Sequence, residues 1–187
     1  MPRILFFAPC YALGPSSGSG QRTSLLVEAM KTFAEVDIVI TGGRILDVER
    51  AAAAEIADRV FDGLHQTQNQ APPWSWLTPL HPRIVEQAAT ALRSRRAMYA
   101  SDALSRRSME AVNLNDYDLL VGRYLRPMAK MGVMEGQSRP PILLDIDDRD
   151  DQAYASRLNN PDLNPLMRLA YLWSARQLAT IFPEAIA

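Results

Sequence analysis

Residues 3–9 read Arg3-Ile4-Leu5-Phe6-Phe7-Ala8-Pro9, and a loop, Gly14-Pro15-Ser16-Ser17-Gly18-Ser19-Gly20, comes soon after. A short, continuous apolar run bounded by turn residues is typical of a buried strand in a parallel sheet. The stretch from Gln21 to Met30 has helical spacing, and a second apolar run, Val36–Ile40, follows. The residues predicted to face the sheet from this helix are Leu25, Leu26, Ala29, Met30 and Phe33. These elements predict a right-handed βαβ unit whose loop lies at the carboxyl edge of the sheet, where open α/β folds bind ligands.

The composition narrows the class of protein. A chain of 187 residues can bury a full core, and this length suits one domain with trailing elements. The 20 basic and 21 acidic side chains nearly balance, which disfavours a nucleic-acid partner. Cys10 is the single cysteine, so no intramolecular disulfide can form and a reducing cytoplasm is the expected compartment. Neither a secretory signal nor a membrane-spanning run is recognisable, which leaves only peripheral contact with a membrane open.

The rest of the chain continues the alternation of strands and helices. Asp118–Gly122 and Pro141–Ile146 have the apolar composition of buried strands. Arg59–Leu64 either ends a helix that begins at Asp47 or forms a short strand, because periodicity is ambiguous over so few residues. Further helices are predicted over Arg83–Asn113, with a break at the N-cap pair Ser101-Asp102, and over Pro127–Met134, Asp150–Leu158 and Pro165–Thr180. The predicted fold class is α/β, with a Rossmann-like, doubly wound and mostly parallel sheet.

A proline-rich segment from His65 to Pro82 interrupts this alternation. Trp74 and Trp76 are predicted to anchor the segment, with stacking on a sugar face as the alternative. The two histidines, His65 and His81, are expected at the surface. The arginines of the following helical segment predict a solvated face or, alternatively, a patch for an acidic lipid headgroup or a phosphorylated ligand. These arginines are Arg93, Arg95, Arg96, Arg106 and Arg107.

The glycine-rich loop predicts an anion site, because a helix N-terminus presents backbone N–H groups and the positive end of the helix dipole. Gly18-Ser19-Gly20 is an incomplete dinucleotide fingerprint, and the second strand ends in Thr41-Gly42-Gly43 rather than in an acidic residue. We therefore expect no NAD, and the chain also lacks a P-loop sequence. Arg22 either reaches back to the anion or lies at the surface. Arg123 and Tyr124 follow a strand at the same edge and either bind an acceptor or pack at the rim.

An acidic string follows the last predicted strand. Asp145-Ile146-Asp147 has the D-x-D pattern of some metal sites, but one strand-end cluster lacks the additional ligands that a hard cation takes. We therefore predict no metal. Asp147 or Asp148 is interpreted as a first-turn acid of the helix that begins at Asp150, or as a contact to an acceptor hydroxyl.

Three separate motifs resemble the glycosyltransferases built from two Rossmann-like domains (GT-B), most closely the N-terminal domains of retaining glycosyltransferase family 4. They are Ile4-Leu5-Phe6-Phe7-Ala8-Pro9 followed by Gly18-Ser19-Gly20-Gln21-Arg22 and a helix, then Tyr117-Asp118-Leu119-Leu120-Val121-Gly122-Arg123-Tyr124, and Pro141-Ile142-Leu143-Leu144-Asp145-Ile146-Asp147-Asp148. Their order and spacing resemble the family's acceptor-side domain over almost the entire chain. The resemblance implies that residues 1–160 form this domain and that 161–187 form a terminal helix leading toward a C-terminal donor domain beyond Ala187.

The resemblance implies transfer of a sugar from a nucleotide-sugar donor to a sugar or lipid-linked acceptor, with retained stereochemistry, in glycan or cell-envelope polysaccharide synthesis. It implies a cytoplasmic location, with the inner face of the membrane as an option, and no cofactor. Because the other half carries most donor contacts in this family, the chain alone is expected to be inactive. The alternative is a stand-alone, flavodoxin-like ligand-binding or regulatory domain. The candidate site residues are Gly18, Ser19, Gly20 and Arg22 for the donor-acceptor loop, and Arg123, Tyr124, Asp147 and Asp148 for the acceptor.

Overall fold

A computed structural model gives the fold of the chain. The described residues are 1–15, 17–64, 101–134, 139–145 and 150–161, with 163, 165, 167–169, 171–173, 175–176 and 179. The chain divides into two compact units, Met1–Thr67 with Tyr99–Ile146, and Gln68–Met98 with Asp147–Ala187. The boundary at residue 160 stays a prediction.

The first unit contains a five-stranded, all-parallel sheet. Its strands are β1 (Arg3–Pro9), β2 (Glu35–Gly42), β3 (Arg59–Leu64), β4 (Leu119–Arg123) and β5 (Ile142–Asp145). The spatial order is β3-β2-β1-β4-β5, which is the order of a Rossmann-like sheet. The predicted α/β, doubly wound fold class is therefore confirmed, and Arg59–Leu64 forms a strand.

Helices connect these strands. In the first unit they are α1 (Gly18–Lys31), α2 (Asp47–Ile56), α3 (Ala103–Met109) and α4 (Leu125–Lys130), with single 3₁₀ turns at Cys10–Ala12 and Leu114–Asp116. As predicted, Asp102 caps α3, because its carboxylate accepts a hydrogen bond from the Ser105 N–H at 2.8 Å. In the second unit, α5 spans Asp150–Arg157, and all the described residues from 165 to 179 are helical. Within the described part of the chain, every helix is too short or too polar to cross a membrane.

Apolar side chains cover both faces of the sheet, because successive residues of a strand point to opposite sides. On one face, Ile4 and Phe6 of β1 belong to the same buried cluster as Val27 of α1. On the other face, Phe7 of β1 belongs to a cluster with Met128 of α4. The central strand β1 is thus buried on both sides, as the continuous apolar run in its sequence predicts.

The predicted core face of α1 is wrong in part. Leu25 and Phe33 are exposed, and so is Ala29, whereas the fully or nearly fully buried positions of the helix are Gly20, Thr23, Val27 and Met30. The helix begins three residues earlier than the apolar pattern suggests, and small side chains at its start allow a close approach to the preceding loop. The apolar spacing alone therefore does not predict which side of α1 faces the sheet.

A buried carboxylate holds together the amino edge of the sheet. Asp37 of β2 is 3% exposed, and its Oδ2 accepts hydrogen bonds from Arg3 (3.2 Å), Arg59 (2.6 Å) and the Tyr117 hydroxyl (2.8 Å). Burial, followed by the contact with Asp37, raises the pKa of Tyr117 far above its usual value, so this hydroxyl remains a donor. One carboxylate thereby links β1, β2, β3 and the segment before β4.

Asp37→Asn should lower the free energy of unfolding by about 2 to 3 kcal/mol, because it leaves two guanidinium groups without their buried counter-charge. Urea unfolding followed by circular dichroism measures this change. The matched control is Glu35→Gln, since Glu35 is exposed and lies 3.6 Å from Arg3. That change should cost less than about 0.5 kcal/mol. Equal effects of the two substitutions would contradict a structural role for the Asp37 cluster.

Candidate functional site

The candidate site lies at the carboxyl edge of the sheet, beside β1 and β4. From β1 the chain proceeds to β2 and β3 on one side, and β4 and β5 lie on the other side. The connection that leaves β1 therefore runs to one side of the sheet, and the connection that leaves β4 runs to the other side. The carboxyl ends of these two strands form a switch point, and in open α/β folds a switch point contains a crevice. Three structural features meet there: the turn Cys10–Ala12, the start of α1 and the end of β4.

The last three residues of the predicted glycine-rich loop, Gly18–Gly20, form the first turn of α1. Ser17 is the N-cap, and its hydroxyl accepts a hydrogen bond from the Gly20 N–H at 3.0 Å. Gly20 is buried, and a β-carbon at this position would overlap the carbonyl oxygen of Gly14. Gly18, in contrast, is exposed, with open space where a β-carbon would lie. Gly20 therefore serves the packing of the loop, and Gly18 leaves the helix N-terminus accessible.

Asp145, the last residue of β5, binds two of the predicted site residues. Its Oδ1 lies 2.6 Å from Arg22 of α1, and its Oδ2 lies 2.6 Å from Arg123 of β4. The Arg123 side chain is fully buried, whereas 46% of the Arg22 side chain is exposed. A buried guanidinium requires a counter-charge, and Asp145 supplies it. The same carboxylate holds the accessible guanidinium of Arg22 at the edge of the sheet.

Ser19 and Tyr124 complete this cluster. Arg123 Nη2 lies 3.5 Å from Ser19 Oγ, which in turn lies 3.2 Å from the Tyr124 hydroxyl. The Tyr124 N–H donates to the carbonyl oxygen of Asp145 at 3.1 Å. The Arg123 guanidinium carbon lies 4.7 Å from the centroid of the Tyr124 ring, a cation–π distance. The structure thus brings Ser19, Arg22, Arg123 and Tyr124 together, as the sequence predicts for residues at one edge of a parallel sheet.

The backbone of Tyr124 is in the left-handed region, with φ = 76°. It is the one non-glycine residue of the described chain in this conformation. Such a conformation costs about 1 to 3 kcal/mol and persists where its surroundings determine it. Here the N–H bond to Asp145, the contact with Ser19 and the packing of Arg123 fix the residue. The side chain of Tyr124 is thereby held between the start of α1 and the end of β4.

Two residues of this site were not among the predicted site residues. In the sequence, Asp145 is the first residue of the acidic string, and its pairing with Arg22 and Arg123 depends on the neighbouring positions of β4, β5 and α1. Tyr11 is 65% exposed and its ring centroid lies 6.2 Å from that of Tyr124. Its position directly after the first strand was the signal that could have identified it.

Asp147 and Asp148 lie outside the described residues, as do His65, His81, Trp74 and Trp76.

Cys10 lies next to this site but belongs to the packed part of the edge. Burial, followed by the negative charge of Glu49, raises the pKa of the Cys10 thiol above that of an ordinary cysteine. A raised pKa keeps the thiol protonated near neutral pH and makes it a weak nucleophile. In the part of the chain that the structure describes, no three His, Cys, Asp or Glu side chains are grouped as metal ligands would be.

Comparison with known proteins does not extend this description. None of the protein-family models matches the chain, and a comparison with curated proteins finds no match. The resemblance to glycosyltransferases therefore rests on the three motifs, and the site must be interpreted from its own geometry.

The different surroundings of the two glycines give a testable contrast. Gly20→Ala should lower the free energy of unfolding by about 2 to 3 kcal/mol, because the added methyl group meets backbone that has little room to move. Gly18→Ala, the matched control in the same helical turn, should change it by less than about 0.5 kcal/mol. Urea unfolding of both variants measures the difference. A tolerated alanine at position 20 would contradict the packing of α1 on Gly14.

The raised pKa of Cys10 predicts the pH dependence of its alkylation. Because the folded state favours the thiol over the thiolate, the rate of reaction with iodoacetamide should rise at a higher pH in the folded chain than in the chain unfolded in urea. Mass spectrometry of samples quenched at intervals gives both profiles. An equal or lower midpoint for the folded chain would contradict the packing of the Cys10 thiol.

Proposed function

We propose that the chain is the acceptor-side domain of a retaining glycosyltransferase. In this proposal, the edge formed by Gly18, Ser19 and Arg22 receives the diphosphate of a nucleotide sugar. The observation that carries the proposal is the cluster at the switch point, where Asp145 positions the accessible guanidinium of Arg22 beside the N-terminus of α1. The sheet order supports the same location, because ligands of Rossmann-like folds bind at this crevice.

The charges of the cluster favour an anionic ligand. Two guanidinium groups, those of Arg22 and Arg123, lie at this edge, and the Arg22 side chain is partly exposed. The first turn of α1 adds N–H groups that have no carbonyl partner within the helix, together with the positive end of the helix dipole. Arg22 lies one turn into the same helix, and its partly exposed side chain extends to the sheet edge. A diphosphate matches this combination of charge and hydrogen-bond donors.

The proposed chemistry requires the site to stabilise a leaving group. In sugar transfer, the bond between the anomeric carbon and the diphosphate oxygen breaks, and a bond from that carbon to an acceptor hydroxyl oxygen forms as the hydroxyl loses its proton. Negative charge accumulates on the departing phosphate oxygen. Donors fixed before the reaction stabilise such charge most effectively. Arg22 supplies a positive charge, and Ser19 supplies a hydroxyl at the same edge. Arg123, which is fully buried, acts as a positioning residue because it holds Asp145 and therefore Arg22.

The proposal includes partners and a location. A donor-side domain would supply most contacts to the nucleotide sugar, and the acceptor would be a sugar or a lipid-linked sugar. Transfer would take place in the cytoplasm, at the inner face of the membrane when the acceptor is lipid-linked. No cofactor is required, because the diphosphate is stabilised by charges and hydrogen bonds of the protein.

Titration with inorganic pyrophosphate tests the proposed diphosphate site. Arg22→Gln should weaken pyrophosphate binding about tenfold, because it removes one charge-assisted contact of about 1.4 kcal/mol. Isothermal titration calorimetry measures this change. The matched control is Arg107→Gln on α3, which removes an exposed arginine elsewhere and should leave the affinity unchanged. Equal weakening by both substitutions would indicate nonspecific attraction and contradict a site at α1.

A transfer assay separates an enzyme from a binding module. The gene product is purified from its source cell and incubated with UDP-, GDP- and dTDP-sugars, and release of the nucleoside diphosphate is followed. The proposal predicts release with at least one donor, and Arg22→Gln should reduce it. Pyrophosphate binding without release from any donor would favour the stand-alone ligand-binding domain and would overturn the enzymatic proposal.

A further inference from the structure

The side chain of Tyr124 has neighbours in the protein on its ring and at its hydroxyl. The Arg123 guanidinium carbon lies 4.7 Å from the centroid of the ring, and the ring of Tyr11 lies 6.2 Å away. The hydroxyl lies 3.2 Å from Ser19 Oγ, in the first turn of α1. With these contacts, Tyr124 offers little to the acceptor that the sequence predicts for it. Its hydroxyl connects it instead to the proposed diphosphate site.

The hydrogen bonds around Ser19 Oγ have a preferred direction. A guanidinium has N–H donors and no acceptor, so Arg123 Nη2, 3.5 Å away, donates to this oxygen. A serine oxygen has two lone pairs and carries one proton, and its second lone pair can accept from the Tyr124 hydroxyl. When Tyr124 also donates, both lone pairs are occupied, and the Ser19 proton is available to a third group.

An anion at this edge would select that direction, because phosphate oxygens are strong acceptors. Ser17 accepts hydrogen bonds from the N–H groups of Gly20 and Gln21. Ser19 is the second residue of α1, and its N–H has no carbonyl partner within the helix. The hydroxyl and the N–H of the same residue are therefore both donors for an anion. In a chain from Tyr124 through Ser19 to a phosphate oxygen, each O–H polarises the next, which strengthens the last hydrogen bond.

We propose that Tyr124 is a positioning residue of the diphosphate site, which donates to Ser19 Oγ and thereby directs the Ser19 proton to a phosphate oxygen. This inference rests on the proposed function, because it requires a diphosphate at this edge. It gives Tyr124 a role on the donor side, in place of the acceptor contact predicted from the sequence. The left-handed backbone of Tyr124, fixed by its N–H bond to the Asp145 carbonyl, is consistent with a residue that must be held in one position.

Calorimetric titration of the full chain with inorganic pyrophosphate, arranged as a double-mutant cycle, provides the test. Tyr124→Phe, which keeps the ring, should weaken binding about three- to fivefold, as expected for the loss of one neutral hydrogen bond. In the Ser19→Ala background, which retains Arg22, the same change should have no effect, because Tyr124 acts through the Ser19 hydroxyl. Ser19→Thr keeps a hydroxyl and should restore the effect of Tyr124→Phe. The matched control is Tyr171→Phe, which removes a tyrosine hydroxyl in the other unit and should leave the affinity unchanged.

Nuclear magnetic resonance distinguishes this role from a structural one. The ¹³Cζ signal of Tyr124 reports on the hydrogen bonds of its phenolic oxygen. In the wild type, this signal should shift when pyrophosphate is added, because the anion orients the Ser19 proton and therefore the Tyr124 proton. In Ser19→Ala the shift should be absent. A Tyr124 that only packs at the edge would give no shift that depends on Ser19.

Other outcomes would overturn the inference. It fails if Tyr124→Phe leaves the affinity unchanged, or if it weakens binding equally with and without the Ser19 hydroxyl. It also fails if methyl glycosides shift the Tyr124 signal and pyrophosphate does not, since Tyr124 would then contact the acceptor. If Arg22→Gln weakens pyrophosphate binding and Tyr124→Phe does not, the proposed function stands without this inference. If the wild type does not bind pyrophosphate, both proposals fail. Because the wild-type shift counts by itself, misfolding of a variant would not prevent a decision.

Discussion

The carboxylate of Asp145, held between two guanidinium groups, is the interaction on which the candidate site depends. Arg123 is fully buried and carries a charge that water cannot solvate, so its position follows that of Asp145. Arg22 is accessible, but its guanidinium is attached to the other oxygen of the same carboxylate. The Asp145 side chain therefore connects β5, β4 and α1. The position of Ser19 and Tyr124 follows from this connection, because Arg123 contacts both.

Each edge of the sheet has an aspartate that pairs with two arginines, but the two clusters differ in their surroundings. At the amino edge, Asp37 is buried and one of its oxygens accepts from two arginines and a tyrosine, which stabilises the fold. At the carboxyl edge, Asp145 also pairs with two arginines, and the accessible one, Arg22, lies beside a helix N-terminus. Arg59 at the amino edge is as accessible as Arg22, so the helix N-terminus beside Arg22 and its place at the switch point, rather than exposure or residue type, distinguish the candidate binding site. The two clusters contain the same charged residue types, so a charged cluster by itself does not identify a binding site.

Much of the fold could be predicted from the sequence, because the apolar strands and the glycine-rich start of α1 are local signals. The convergence of Ser19, Arg22, Arg123 and Tyr124 could also be predicted, since the carboxyl ends of parallel strands meet at one edge. The phase of α1 could not, because it depends on the contact between Gly20 and Gly14, two residues brought together by the loop. The role of Asp145 could not be predicted either, because it depends on ion pairs that join β5 to β4 and α1. The position of Tyr11 in the site depends on its contact with Tyr124, which is 113 positions away in the sequence.

The most direct test of the account is the affinity of Asp145→Asn for pyrophosphate, measured by calorimetry at a temperature where circular dichroism shows the variant folded. The substitution removes a negative charge, so simple electrostatics predicts tighter binding of an anion. The account predicts the opposite, since Arg22 loses its ion pair with Asp145 at the edge and binding should weaken. Unchanged or tighter binding would contradict the claim that Asp145 positions the anion site.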